Sequence, residues 1–230
     1  MKKIILFSLV SLLCISGAAV SSEYKFQFTT VSDIVKKVKS VFGEVDSYSA
    51  KFTITVENQG KKTVQSGIVK SKNPNLLLAE FSSPSGQKIV ANGKMMWIYI
   101  PSMNVVAEQD LKDDKGTVFA SGTKSGLNRL FSKYHYKFAS KTQPEEMKDG
   151  KKYYTLQLDQ KESRSGYRSM KLWINEQFLI TRAEGLTSTN KKVIIEFSNI
   201  DLSQNFQKGM FKFDIPSNAR VIKNPMLAEE

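Results

Sequence analysis

Thiols and imidazoles are almost absent from this chain: one cysteine, Cys14, and one histidine, His135, in 230 residues. A single cysteine excludes an internal disulfide framework and any multi-cysteine zinc site. A single histidine excludes His-pair metal motifs and removes the commonest general base from every position but one. No cofactor and no metal site is therefore expected, and catalysis is disfavoured. Acidic side chains are also the scarcer charge, 22 Asp+Glu against 34 Lys+Arg, for a net charge of +12. No apolar run reaches the ~20 residues that a membrane-spanning helix needs. What remains is a globular composition, 40% hydrophobic and 24% charged. A chain of this length buries roughly 70% of its unfolded surface, so it can fold without disulfides or metals.

The N-terminus has the layout of a secretory signal peptide. Met1-Lys2-Lys3 is a short positive region, residues 4–15 are apolar, and Ser16, Gly17, Ala18 and Ala19 are small. Cleavage is expected near Ala19 or Ser21. Cys14 raises a lipoprotein alternative, but Leu13 occupies the place where a small residue is usual. Cleavage removes Cys14, Lys2 and Lys3, which leaves no thiol and a side-chain balance of +10. The expected organisation is a signal peptide over 1–20 and one domain over 21–230, exported across an inner membrane.

The mature chain opens with one helix signal. Ile34, Val35, Val38, Val41, Phe42 and Val45 recur at three- and four-residue spacing, behind a capping box from Thr30 and Asp33. Strand signals follow. Tyr48, Ala50, Phe52, Ile54 and Val56 alternate with polar residues, which describes a half-buried strand. Turns at 58–61, 73–75 and 84–86 separate further strands, and Asn92-Gly93 is a two-residue hairpin signal. Residues 110–125 read as a charged, Gly/Ser-rich loop, and Leu127, Leu130 and Phe131 mark a short second helix. Strands resume at 134–140, 152–160, 168–175, 178–187 and 192–202, and 211–216 is a final extended piece. Strands outnumber helices about eleven to two. Eleven strands at ~4.8 Å spacing make a sheet ~50 Å wide, too wide for two helices of ~10 Å diameter to cover. The predicted fold is mainly β: one curled antiparallel sheet with the helices inside it or across its mouth.

Two segments carry functional information. Glu80 marks a wet face, so Leu77, Ala79 and Phe81 point inward, while Leu76 and Leu78 are exposed or lie under a loop. In Met95-Met96-Trp97-Ile98-Tyr99-Ile100 both faces are apolar, which predicts a central strand covered on both sides. Packed core and ligand cavity are both open readings of these residues. Met and aromatic side chains suit adaptable apolar binding, but they also fill ordinary cores.

The run from Pro84 to Pro101, with its Ile89-Val90-Ala91-Asn92-Gly93-Lys94 hairpin and Met96-Trp97-Ile98-Tyr99-Ile100-Pro101 close, resembles the outer-membrane lipoprotein carrier family, LolA. Gly67, the Lys72-Asn73-Pro74-Asn75 turn, Phe81 and the closing Phe211-Lys212-Phe213-Asp214-Ile215-Pro216 extend the resemblance over most of the mature chain. It implies an unclosed antiparallel β-barrel of about eleven strands, with an α-helical lid over an apolar concave face. It also implies a monomeric periplasmic carrier whose cavity holds the acyl chains of lipoproteins. The partners implied are acylated lipoproteins, an inner-membrane lipoprotein-releasing ABC transporter and, in some bacteria, an outer-membrane LolB receptor. On this basis the expected cavity lining is Leu77, Ala79, Phe81, Met95, Trp97 and Tyr99 from strands, with Val38, Phe42, Leu127 and Phe131 from helices. The family's "K-R-P-N" segment carries an arginine that holds lid backbone in the closed form. Here Asn73 stands in that place, so any latch is shorter and uncharged. Asn92 and Ile100 are milder departures.

Other readings fit less. A periplasmic lipoprotein- or lipid-binding sensor or regulator would use the same half-barrel, but usually with a second domain. Charged strand faces and the Leu227-Ala228-Glu229-Glu230 end disfavour an outer-membrane barrel. Strand alternation explains His135 better than catalysis does. Export, and the lack of a basic helix motif, disfavours nucleic acid. The positive charge is expected to steer transient contact with an anionic membrane surface or an acidic transporter loop.

Overall fold

The computed structural model describes residues 29–111, 123–162 and 166–224. The expected signal peptide over 1–20, with Cys14, lies outside these residues, as does most of the predicted loop over 110–125.

The first helix, α1 (Val31–Glu44), begins where the sequence predicts. Thr30 and Asp33 cap each other reciprocally: the Asp33 amide donates to Thr30 Oγ1 at 3.2 Å, and the Thr30 amide donates to Asp33 Oδ2 at 3.0 Å. Two of the amides that a helix start leaves unpaired are thereby satisfied. The apolar stripe of α1 is buried at Ile34, Val35, Val38 and Phe42. The second helix, α2 (Lys124–Lys133), is capped by Thr123, whose side chain accepts from the Gly126 amide. Its Leu127, Leu130 and Phe131 are buried. The two helices pack on each other and on the strand that follows α2.

Among the described residues thirteen strands form one sheet: β1 (Ser47–Asn58), β2 (Lys61–Lys72), β3 (Leu76–Ser83), β4 (Lys88–Asn92), β5 (Met95–Ile100), β6 (Val105–Asp110), β7 (Tyr134–Phe138), β8 (Glu145–Glu146), β9 (Lys152–Gln160), β10 (Tyr167–Asn175), β11 (Ile180–Thr187), β12 (Lys192–Asp201) and β13 (Arg220–Lys223). The spatial order is β13-β6-β5-β4-β3-β2-β1-β12-β11-β10-β9-β7, with β8 beside β9. Among the described residues its two ends, β13 and β7, do not pair with each other, so the sheet is unclosed. Every pairing is antiparallel except β13 with β6. The β1–β12 pairing joins the two halves of the chain and places Ile54 opposite Ile195.

Two short strands add to the eleven expected: β8 has two residues and β13 lies beyond Pro216, and neither shows a periodic pattern. The extended piece over 211–216 joins no strand of the sheet. It follows a single 3-10 turn at Lys208–Phe211 and crosses the outer face of β3 and β4, where ring packing replaces ladder hydrogen bonds. Nor is β5 central: it lies third from the β13 edge. Its second apolar face is covered by the C-terminal segment.

Two glycines are required by geometry. Gly93 has φ +89° in the Asn92-Gly93 turn, and the Asn92 carboxamide accepts from the Lys94 and Met95 amides. At Gly67 a Cβ would stand 2.1 Å from the Glu80 carbonyl oxygen and 2.8 Å from the Phe52 ring. This is the close approach that lets β3 bulge past β2 while Phe52 meets Phe81 edge-on at 5.0 Å.

Candidate apolar binding site

The buried apolar residues fall into two clusters on the inner face and one on the outer face. One inner cluster joins α1 and α2 to β9 and β10. The other joins β1, β2, β3, β4 and β5 to β12. Between them lies a partly enclosed cavity of about 90 Å³. Its walls come from alternate residues: Ala50, Phe52 and Ile54 on β1, Leu77 and Ala79 on β3, Met170 and Leu172 on β10, and Ile195 and Phe197 on β12. Phe42 of α1 and Leu130 of α2 close it on the helix side. Tyr48 carries the one polar atom among the lining side chains, and burial pushes its hydroxyl well above the usual phenol range. A wall of this kind offers burial without hydrogen-bond selectivity, so it suits a chain of methylenes rather than a polar metabolite.

The expected lining residues divide into three groups. Leu77, Ala79 and Phe42 face the cavity. Phe81, Val38, Leu127 and Phe131 are buried in the two clusters beside it but do not border the void. Met95, Trp97 and Tyr99 do not line it. On β5 it is Met96 and Ile98 that join the inner cluster, so strand alternation turns the odd-numbered residues outward. There Trp97 and Tyr99 pack on Phe213 at 6.0 Å and 6.2 Å, and the Trp97 indole donates to Glu108 at 3.1 Å. Phe211, 1% exposed, is buried against Leu78 and Val90 of the same outer cluster. The returning C-terminal segment, not a central position, is thus what covers the second apolar face of β5. Leu78, read as exposed or under a loop, lies beneath that segment.

Tyr48, Phe52, Ile54, Leu130, Met170, Leu172, Ile195 and Phe197 border the void without having been singled out as site residues. Except for Leu130 on α2, their signal is the alternation on β1, β10 and β12. It carried no information on which strands curl to face one another.

Asn73 occupies a distinctive position. Its side-chain amide donates to the Phe42 carbonyl at 2.5 Å and to the Val45 carbonyl, and its side-chain oxygen accepts from the Lys124 amide at 3.2 Å. The backbone adds two bonds: the Asn73 amide donates to the Asp46 carbonyl at 2.8 Å, and the Ser125 amide donates to the Pro74 carbonyl at 3.1 Å. The β2–β3 turn thus holds the end of α1 and the start of α2 together. It satisfies carbonyls and amides that helix ends leave unpaired. An amide suits this place because it both donates and accepts. Lys72 pairs with Asp46 beside it.

Comparison with known proteins gives a consistent answer. The family model described as "Outer membrane lipoprotein carrier protein LolA" matches residues 43–214. An outer-membrane lipoprotein carrier protein of Hahella chejuensis is 23% identical over 192 residues, 82% of this chain and 88% of its own. One from Pasteurella multocida is 23% identical over 193 residues, 83% and 87% respectively. Among solved structures, an uncharacterized conserved protein from Thermus thermophilus superimposes with a TM-score of 0.54 at 13% identity, covering 84% of this chain and 98% of that one. That last likeness is one of fold.

Proposed function

This chain belongs to the outer-membrane lipoprotein carrier (LolA) family, and we propose on that footing that it shields the acyl chains of lipoproteins in its inner cavity during transit through the periplasm. Carriers of this family are not enzymes. The donor in this reading is an inner-membrane lipoprotein-releasing ABC transporter, and the acceptor is the outer membrane or a receptor on it. Each acyl methylene exposed to water costs about 0.8 kcal/mol, so an acylated protein cannot cross an aqueous gap unshielded.

The observation that carries the reading is the void between the two inner clusters. Close-packed interiors leave few spaces larger than a water molecule, yet here an apolar gap lies between sheet and helices. Its size also bears on mechanism. About 90 Å³ is less than the roughly 150 Å³ cavity that accepts a benzene molecule, so this closed form is too small for a fatty-acyl chain. Loading requires α1 and α2 to move off β1 and β10. Asn73 is the latch in this reading. A few hydrogen bonds at one turn hold both helix ends, and their modest net strength keeps opening within reach of cargo binding.

The test is complex formation. Purified mature protein, incubated with inner-membrane vesicles that release a fatty-acylated lipoprotein, should form a soluble 1:1 complex with it. A well-folded protein that yields no such complex, and binds no acyl-competable hydrophobic dye, would overturn the carrier reading.

A further inference from the structure

The strands that wall the cavity continue to a lysine-bearing rim. Ile54 and Ile195 border the void and pair across β1 and β12. Two residues further along, Val56 pairs with Val193, both partly exposed and packed on the same inner cluster. One residue further, Glu57 lies opposite both Lys192 and Lys62, and Asn58 lies opposite Lys61. At about 3.3 Å per residue, the apolar wall reaches the hairpin tips within roughly 15 Å. The β1–β2 tip carries Lys61 and Lys62, and the β11–β12 tip carries Lys191 and Lys192. Lys192 is paired with Glu184 at 2.8 Å. Lys61, Lys62 and Lys191 are exposed and form no ion pair among the described residues.

We propose that these two adjacent hairpin tips dock on an anionic phospholipid bilayer, presenting the apolar inner face to the membrane at the point where an acyl chain leaves it. Two properties favour a bilayer over an acidic protein. The lysines are point charges on flexible stems at loop tips, which need a charged plane rather than a matched fork of acceptors. And they flank an apolar cross-strand pair on the inner face, Val56 and Val193, rather than a shaped polar pocket. Attraction of this kind acts within a Debye length of the surface and weakens with salt. The proposal deepens the carrier reading, on which its purpose rests, but its test involves no cargo.

The experiment is vesicle co-sedimentation of the mature protein at low ionic strength, with phosphatidylcholine vesicles that do or do not contain phosphatidylglycerol. The wild type should bind only the anionic vesicles. Lys61→Gln/Lys62→Gln/Lys191→Gln should weaken that binding about five-fold per charge, or about 100-fold in all. The matched control is Lys94→Gln/Lys148→Gln/Lys151→Gln, which removes equal charge from turns at the opposite end of the strands, and it should bind as wild type does. Equal losses in both triple variants would show a net-charge effect and overturn the proposal. So would a wild type that ignores anionic vesicles while its rim lysines mediate binding to an acidic protein. Dye binding to the inner cavity should be unchanged in the rim variant, so a failure of the carrier reading would be seen separately.

Discussion

The two faces of the sheet are both apolar, yet they end in different states. On the outer face the chain's own C-terminal segment fills the apolar surface: Phe211 is buried against Leu78 and Val90, and Phe213 meets Trp97 and Tyr99. On the inner face the cover is a pair of helices held at one turn by Asn73, and a void remains beneath them. Burial alone therefore does not separate a face that holds a void from a filled core. The distinction lies in the cover and how it is held. A segment anchored by a large ring in a fitted hole is lost only with the fold. A lid anchored by a few polar bonds can move at modest cost.

Four changes test this contrast, in descending order of expected effect on stability. Phe211→Ala should cost about 3–5 kcal/mol in urea unfolding, because it leaves a ring-sized hole under the outer cover. Dye binding to the inner cavity should persist in the folded fraction. If dye binding vanished while the fold held, the faces would not be independent. Asn73→Ala should cost about 1–2 kcal/mol by leaving part-buried helix-end groups unpaired. It should also speed dye entry and raise amide exchange in α1 and α2 ahead of the outer strands. Uniform exchange across both faces would remove Asn73 from the latch role.

Ala183→Leu places three extra carbons against the void, where Ala183 is half-buried. Stability should change by no more than about 1 kcal/mol, while acyl-dye affinity falls at least ten-fold. Retained affinity would put the binding surface elsewhere. The smallest effect belongs to Glu80 on the outer face. The Lys70 hydrogen bond, at 3.0 Å, is the main cause holding its carboxyl below the ordinary 4.5, with Lys88 adding to it. A depressed folded-state value means that the carboxylate stabilises the protein above pH 4.5. That stabilisation is lost as pH falls through the folded value. Glu80→Gln should therefore cost under about 1 kcal/mol at pH 7 and flatten the acid limb of the stability profile below pH 4.5. An unchanged acid limb would mean that the Lys70–Glu80–Lys88 group is inert.

Much of this molecule is legible in its amino-acid sequence. The Thr30/Asp33 cap, the α1 stripe, the Asn92-Gly93 hairpin and the alternation on β1 are short-range features. Each depends on neighbours within about four residues, so local pattern suffices to specify it. The count of strands against helices was enough to require a curled sheet with incomplete helical cover. Glu80 set the phase of β3 and so placed Leu77 and Ala79 on the inner face. Met95, Trp97 and Tyr99 were misplaced because both faces of β5 are apolar, and alternation cannot name the inner face when neither face is wet. Only the return of residues 206–216 over Trp97 distinguishes them, a contact across more than a hundred residues of chain. The same holds for Asn73. Its residue type suggested a weakened latch, whereas α1 and α2 converge on one turn closely enough for a short amide to bridge both. Local periodicity thus determined which residues are buried and in which elements. The long-range return of the chain determined which burial is filled and which is left open, because packing between distant segments leaves no periodic trace in either of them.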